Sequence, residues 1–120
     1  MRVIVGVDGT DHGIRALDRT IERAREAGDE VTVTVYATGD ASLDEIEASV
    51  RDRLEARSFD AAIEPITGSP GSRLVELAEE GDYDRIVLSG GHRSPLGKIQ
   101  LGSTLEFVLV NARTTVTLVR

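Results

Sequence analysis

The chain has no cysteine and no tryptophan, only two tyrosines and two phenylalanines, and a single lysine, Lys98, in 120 residues. Without cysteine there is neither a disulfide framework nor a thiolate metal site, and two distant histidines, His12 and His92, do not assemble a metal site of their own. A net charge of −7 and 3% aromatic residues leave little to neutralise phosphates along a strand or to stack on bases, which excludes nucleic acid as the expected partner. No apolar run approaches the ~20 residues needed to span a bilayer. Arg2-Val3-Ile4-Val5-Gly6-Val7 follows the first residue with no charged leader. The expectation is a soluble, cytoplasmic protein with no membrane partner.

At 40% hydrophobic residues, 120 residues fit one domain, 1–120, with one core. The 21 acidic residues face 14 basic ones, nearly all arginine. That balance fits a cytoplasm of very high salt, where a hydrated anionic surface keeps proteins soluble, and it equally fits a genome that favours arginine codons.

Apolar β-branched runs alternate with amphipathic stretches along the whole chain, the pattern of βαβ units and a parallel sheet. Strands are predicted over about 2–8, 31–36, 61–66, 83–89 and 114–119. The first helix spans about 11–27, with Ile14, Leu17, Ile21 and Ala24 on one face and Gly28 as its stop. Ser42 with Glu45 makes a capping box for a second helix that buries Leu43, Ile46, Val50 and Leu54 and ends near Arg57. Ser69 as cap and Pro70 at the first helical position open a third helix carrying Leu74, Leu77 and Ala78. A fourth runs from Ser103 to about Asn111. The acid-rich Glu76-Leu77-Ala78-Glu79-Glu80-Gly81-Asp82 reads as a solvated helix face and turn.

Ligands of open parallel sheets bind beyond the carboxyl ends of the strands, where strand order reverses. Two strand ends are built for this. The first ends Gly6-Val7-Asp8-Gly9-Thr10, and Asp8 there is either a ligand contact or a capping carboxylate. The fourth opens into Ser89-Gly90-Gly91-His92-Arg93-Ser94-Pro95-Leu96-Gly97-Lys98-Ile99-Gln100-Leu101-Gly102-Ser103-Thr104, an acid-free segment. Arg93 and Lys98 give it a charge of about +2 and leave about −9 for the rest of the chain. A basic, glycine-lined loop delivered into a helix start presents backbone N–H groups and the positive end of a helix dipole to an anion, such as the phosphates of a nucleotide. Ser103 with Glu106 also forms a capping box, which engages the same hydroxyl in its own helix. Lys98 is either a phosphate contact or a solvated lysine. The loop is not a Walker A motif, because the spacing from Gly91 to Gly97-Lys98 is one residue too long and Ile99 replaces the magnesium-binding hydroxyl. Neither histidine has the neighbours of a nucleophile or its base, so no catalytic residues are assigned.

Taken together, Val5-Gly6-Val7-Asp8-Gly9-Thr10, Gly68-Ser69-Pro70, Asp84-Arg85-Ile86-Val87-Leu88-Ser89-Gly90, Leu101-Gly102-Ser103 and Val116-Thr117-Leu118-Val119-Arg120 resemble the universal stress protein family, in order and over the whole chain. The segment Arg93-Ser94-Pro95-Leu96-Gly97-Lys98 is similar to a version found in acid-rich, haloarchaeal-type members. The resemblance implies a single-domain α/β fold of the adenine-nucleotide alpha-hydrolase-like type, an open parallel five-stranded sheet of order 3-2-1-4-5 with helices on both faces. It also implies ATP, with any Mg2+ carried by the nucleotide, held between the first and fourth strands. The residues it implies for that site are Val7, Asp8 and Gly9 at the first strand end, with Asp8 at the ribose, and Ala37 at the adenine. Around the phosphates it implies Ser89, Gly90, Arg93, Lys98, Gly102, Ser103 and Thr104. The loop departs from the family's Gly-x-x-Gly, nine residues, Gly-Ser/Thr pattern: Arg93 stands at the second glycine, and the spacing to Gly102 is one residue short. An arginine there removes a close backbone approach and adds a guanidinium.

The last strand carries no charge from Thr114 to Val119, which leaves an edge open to pairing with a second copy. The expected function is that of a dimeric, nucleotide-binding stress regulator. An interaction module without nucleotide and a slow ATPase or self-phosphorylating switch using Ser103 or Thr104 are the alternatives.

Overall fold

Valine at every second position of the first two strands sets the layers. Val3, Val5 and Val7 of β1 (Arg2–Val7) turn to one face, where α1 (Asp11–Ala27) returns the chain over them. Val31, Val33 and Val35 of β2 (Glu30–Val35) extend that face, and α2 (Leu43–Ala56) covers it. The chain continues through β3 (Ala62–Pro65), α3 (Pro70–Glu80), β4 (Arg85–Ser89), a short β5 (His92–Arg93) and β6 (Ile99–Gln100), α4 (Ser103–Asn111) and β7 (Thr115–Val119). The computed structural model describes residues 1–90, 92–93, 99–100 and 102–120, with 92–93 and 99–100 as backbone only.

The five long strands form one parallel sheet of order β3-β2-β1-β4-β7, the predicted order with the last strand counted after the loop. What the sequence did not indicate is a small antiparallel pair within the basic loop, in which His92 faces Gln100 and Arg93 faces Ile99. β1 is the strand at which order reverses, flanked by β2 in one direction and β4 in the other. Among the described residues no helix is long and apolar enough to cross a membrane.

Each face has its own apolar cluster. On one, the valines meet Leu17 and Ile21 of α1 and Ile46, Val50 and Leu54 of α2. On the other, Ile4, Ile86 and Leu88 meet Leu74 and Ala78 of α3 and Leu105 and Val108 of α4. A fully buried leucine or isoleucine contributes roughly 1.5–3 kcal/mol. Isolated helices shorter than ~12–15 residues are marginal in water. The nine-residue α4 is therefore helical because Leu105 and Val108 are packed, and its position follows theirs.

Local chemistry sets the boundaries. Thr10 caps α1 by accepting from the Gly13 N–H at 3.2 Å, and Gly28 closes that helix in the left-handed conformation at φ 74°. At α2 the Ser42 hydroxyl accepts from the Glu45 N–H at 3.2 Å and donates to Glu45 Oε1 at 3.1 Å, so the predicted pairing of these residues is present. Two caps differ from expectation. Ser69 occupies the cap position of α3 without a side-chain hydrogen bond, since Pro70 at the next position supplies the fixed φ but no N–H. At α4 the cap residue is Gly102, which places Ser103 inside the first turn and removes the Ser103–Glu106 capping box. The fourth strand starts at Arg85 rather than Tyr83, because the Tyr83 hydroxyl pairs with Thr32 Oγ1 at 2.7 Å and its ring lies under the Arg2 guanidinium at 4.3 Å.

This difference between the two serine caps is measurable. We expect Ser42→Ala to lower unfolding free energy by about 1 kcal/mol, and Ser69→Ala to change it by less than about 0.5 kcal/mol. Urea denaturation of the two variants checks this, and equal losses would contradict the assigned caps.

Candidate functional site

The amino ends of the strands are tied together. The Arg2 N–H donates to Asp84 Oδ2 at 2.7 Å, the Arg2 side chain reaches the Gly81 carbonyl, and the Glu30 N–H donates to the Met1 carbonyl at 2.9 Å. At the carboxyl ends the chain instead leaves a cavity of about 170 Å3 beyond β1 and β4. It is lined by Asp8, Thr10 and His12 after β1, by Tyr36 and Thr38 after β2, by Leu88, Ser89 and Gly90 from β4, and by Gly102 to Leu105 at the start of α4. Typical ligand pockets enclose ~300–1,000 Å3, so a nucleotide placed here would extend over the opening. A larger depression of about 730 Å3 between α1 and α2 is bridged by the Arg53–Asp18 ion pair at 3.1 Å and lies at no strand end. The smaller cavity is the one placed where open sheets bind ligands.

Two glycines bring its walls together. A Cβ on Gly90 would stand 2.6 Å from Leu105 Cδ2, so the bare backbone at the end of β4 lets α4 dock its first turn there. A Cβ on Gly6 would stand 2.6 Å from Leu88 Cδ2 and 3.2 Å from Tyr36 Cε1, so the Tyr36 ring lies across β1 in that slot. Only 6% of Tyr36 is exposed. Its N–H donates to the Val7 carbonyl at 3.1 Å, which continues the β1–β2 ladder one step past β2.

The two helix starts facing the cavity differ in charge. At α1, Asp8 Oδ1 accepts from the Thr10 N–H at 3.2 Å and from the Thr10 hydroxyl at 2.7 Å. A Cβ on Gly13 would come within 2.8 Å of the same oxygen, so the carboxylate sits against the first turn and offsets the dipole of α1. Asp8 thus has the capping-loop role considered from sequence and also lines the cavity. At α4 the first intrahelical bond is from the Glu106 N–H to the Gly102 carbonyl at 3.0 Å, and no side chain caps the turn. The N–H groups of Ser103, Thr104 and Leu105 precede that bond in a segment that lines the cavity. Burial first, and then the charge of Asp8, push the Tyr36 phenol well above its ordinary pKa and keep it neutral.

Of the residues singled out from sequence, Asp8, Ser89, Gly90, Gly102, Ser103 and Thr104 come together on the cavity. Val7 is fully buried in the apolar cluster on the opposite face of β1. Gly9 and Ala37 are exposed and stand outside the lining, next to residues that belong to it. Arg93 is described as backbone only, and Lys98 lies outside the described residues. Sequence reasoning missed Thr10, His12, Tyr36, Thr38, Leu88 and Leu105. For Tyr36 a signal existed: an aromatic residue just past β2 in a chain with two tyrosines, but its meaning depends on strand register, which brings it beside Gly6. Among the described residues no group of three or more His, Cys, Asp or Glu side chains is placed to hold a metal ion.

Comparison with known proteins adds kinship to this geometry. A profile described as the universal stress protein family matches residues 1–120. A universal stress protein of Mycobacterium tuberculosis is 28% identical over 137 aligned positions, covering 98% of this chain and 94% of its own. A universal stress protein structure from Archaeoglobus fulgidus superposes with a TM-score of 0.78 at 26% identity, covering 100% of this chain and 98% of that one. A universal stress protein solved in complex with cAMP also gives 0.78, at 29% identity and with 100% and 96% coverage.

The raised phenol pKa has a sign that can be tested. A group with a higher pKa in the folded state than in the unfolded state stabilises the fold below its unfolded pKa, and that contribution falls away as pH rises beyond ~10. We expect stability to decline above that value in the parent chain and to decline less in Tyr36→Phe, as measured by urea midpoints at a series of alkaline pH values.

Proposed function

Because the chain belongs to the universal stress protein family, we propose that its cleft binds an adenine nucleotide, ATP with its own Mg2+ in the first instance, and that the protein acts as a nucleotide-dependent regulator in the stress response. The observation that carries the reading is the pairing of an uncapped α4 start with an acid-bearing strand end in one cavity. The free N–H groups of α4 suit phosphate oxygens. The solved relative in complex with cAMP supports an adenine nucleotide as the ligand class. Asp8, Ser89, Gly90, Gly102, Ser103 and Thr104 are the proposed contacts, joined by Tyr36; Val7, Gly9 and Ala37 would act through their backbone. Arg93 and Lys98 are the proposed loop cations at the phosphates. No turnover is assigned.

Gly102 gives a discriminating variant. Its φ of −74° is open to any residue, and nothing stands within 4 Å of the position a Cβ would take. Aspartate is also a better helix cap than glycine. Gly102→Asp should therefore leave the fold as stable as before, or a few tenths of a kcal/mol more stable. It should nevertheless abolish binding by setting a carboxylate against the phosphates. Mass spectrometry of small molecules released from the purified protein, with Mg-ATP titrations in low and molar KCl, reads the outcome. Stoichiometric nucleotide, or saturable binding lost in Gly102→Asp, supports the proposal. A folded protein with neither would assign the function to its assembly surface instead.

We also propose a homodimer through β7. That strand pairs only with β4 in the described sheet. Thr115 to Val119 carry no charge, and the preceding α4 exposes Phe107, Leu109 and Val110. An uncharged edge beside exposed apolar side chains favours pairing with a second copy. We expect Thr117→Lys to convert the dimer to monomer in sedimentation equilibrium at unchanged secondary structure; a wild-type monomer at micromolar concentration would refute the interface.

A further inference from the structure

The cavity is polarised along its length. At one wall α4 offers unpaired N–H groups, and at the other stands the Asp8 carboxylate. Phosphate is repelled by a carboxylate and attracted by a helix start, so a nucleotide entering the cavity is oriented with its phosphates at α4 and its sugar towards Asp8. This much rests on the nucleotide reading above. Tyr36 adds something to it that the family resemblance does not supply.

The Tyr36 ring forms the floor between these walls. Its hydroxyl oxygen stands 3.3 Å from the point a Cβ on Gly6 would occupy, so the hydroxyl edge of the ring lies over β1. Asp8 is two positions beyond Gly6 and, by strand alternation, on the same side. Both residues line the cavity. An ionised carboxylate only accepts hydrogen bonds, whereas a neutral phenol both donates and accepts. A sugar hydroxyl needs an acceptor for its proton and a donor for its lone pairs. The two residues supply these two functions side by side, and neither alone supplies both to one hydroxyl.

We propose that Tyr36 is a specificity-determining residue that makes the cleft selective for ribonucleotides over 2′-deoxyribonucleotides, with its hydroxyl donating to the ribose hydroxyl whose proton is accepted by Asp8. The site then has an unmet polar requirement when the 2′-hydroxyl is missing. Sites built to hydrogen-bond a substrate hydroxyl discriminate strongly against the analogue that lacks it, because their own buried polar groups are left without partners.

The experiment is titration calorimetry of the full chain and of Tyr36→Phe with Mg-ATP, Mg-dATP and Mg-ITP. The parent chain should bind ATP at least ~10-fold more tightly than dATP. In Tyr36→Phe the affinity for ATP should fall about 10-fold while that for dATP barely changes, so the preference collapses. ITP should follow ATP in both proteins. Equal affinity of the parent chain for ATP and dATP would overturn the role of Tyr36 while leaving the adenine-nucleotide reading in place. So would a Tyr36→Phe variant that keeps the preference, or one that weakens both nucleotides equally, as a purely structural role predicts. A preference that separates ATP from ITP instead would turn this end of the cavity towards the base and also overturn it. Failure of the folded parent chain to bind any of the three would overturn this inference and the nucleotide reading together.

Discussion

The seating of Leu105 against Gly90 governs the geometry of the cleft. Leu105 is almost wholly buried and occupies the space that any side chain at the end of β4 would need. α4 is too short to be stable on its own, so its place is set by this contact and by Val108 one turn further on. The consequence is that the first turn of α4 is held at the carboxyl end of β4, with its N–H groups presented where strand order reverses. A bulkier residue at position 90 would shift the helix start and the cavity wall together.

Electrostatics then divides the work between two helix starts. α1 begins beside Asp8 and is capped by Thr10, so its positive end is already matched within the chain. α4 begins at a glycine with no capping side chain, and its first acid is Glu106. A protein with a net charge of −7 thus keeps one region free of acid, and the fold places the uncapped helix there. The overall charge works against the approach of anions, while the local arrangement holds one that arrives.

Much of this was legible in the sequence, for identifiable reasons. Valine alternation in Val31-Thr32-Val33-Thr34-Val35 and the leucine and isoleucine spacing of α1 report burial directly, and they place the elements correctly. Glycine and serine marked most helix ends. The Ser103–Glu106 pattern misled because the same spacing is compatible with a start one residue earlier, and packing of Leu105 and Val108 selects that start. Thr32 and Thr34 were equally unreadable as core residues. They are buried because Thr34 Oγ1 donates to the Val5 carbonyl at 3.1 Å and Thr32 meets Tyr83, contacts between residues far apart in the chain. Tyr36 escaped notice for the same reason, since its role arises across strands.

The overlap of Gly6 and Tyr36 also links two positions that are thirty residues apart in sequence. One lends its missing side chain as space, and the other fills that space with a ring. Neither can change size by itself without either a clash or a void. The depth of the cleft is therefore a single trait written at two positions, and a descendant of this protein that needed a deeper or shallower pocket would have to alter both in concert.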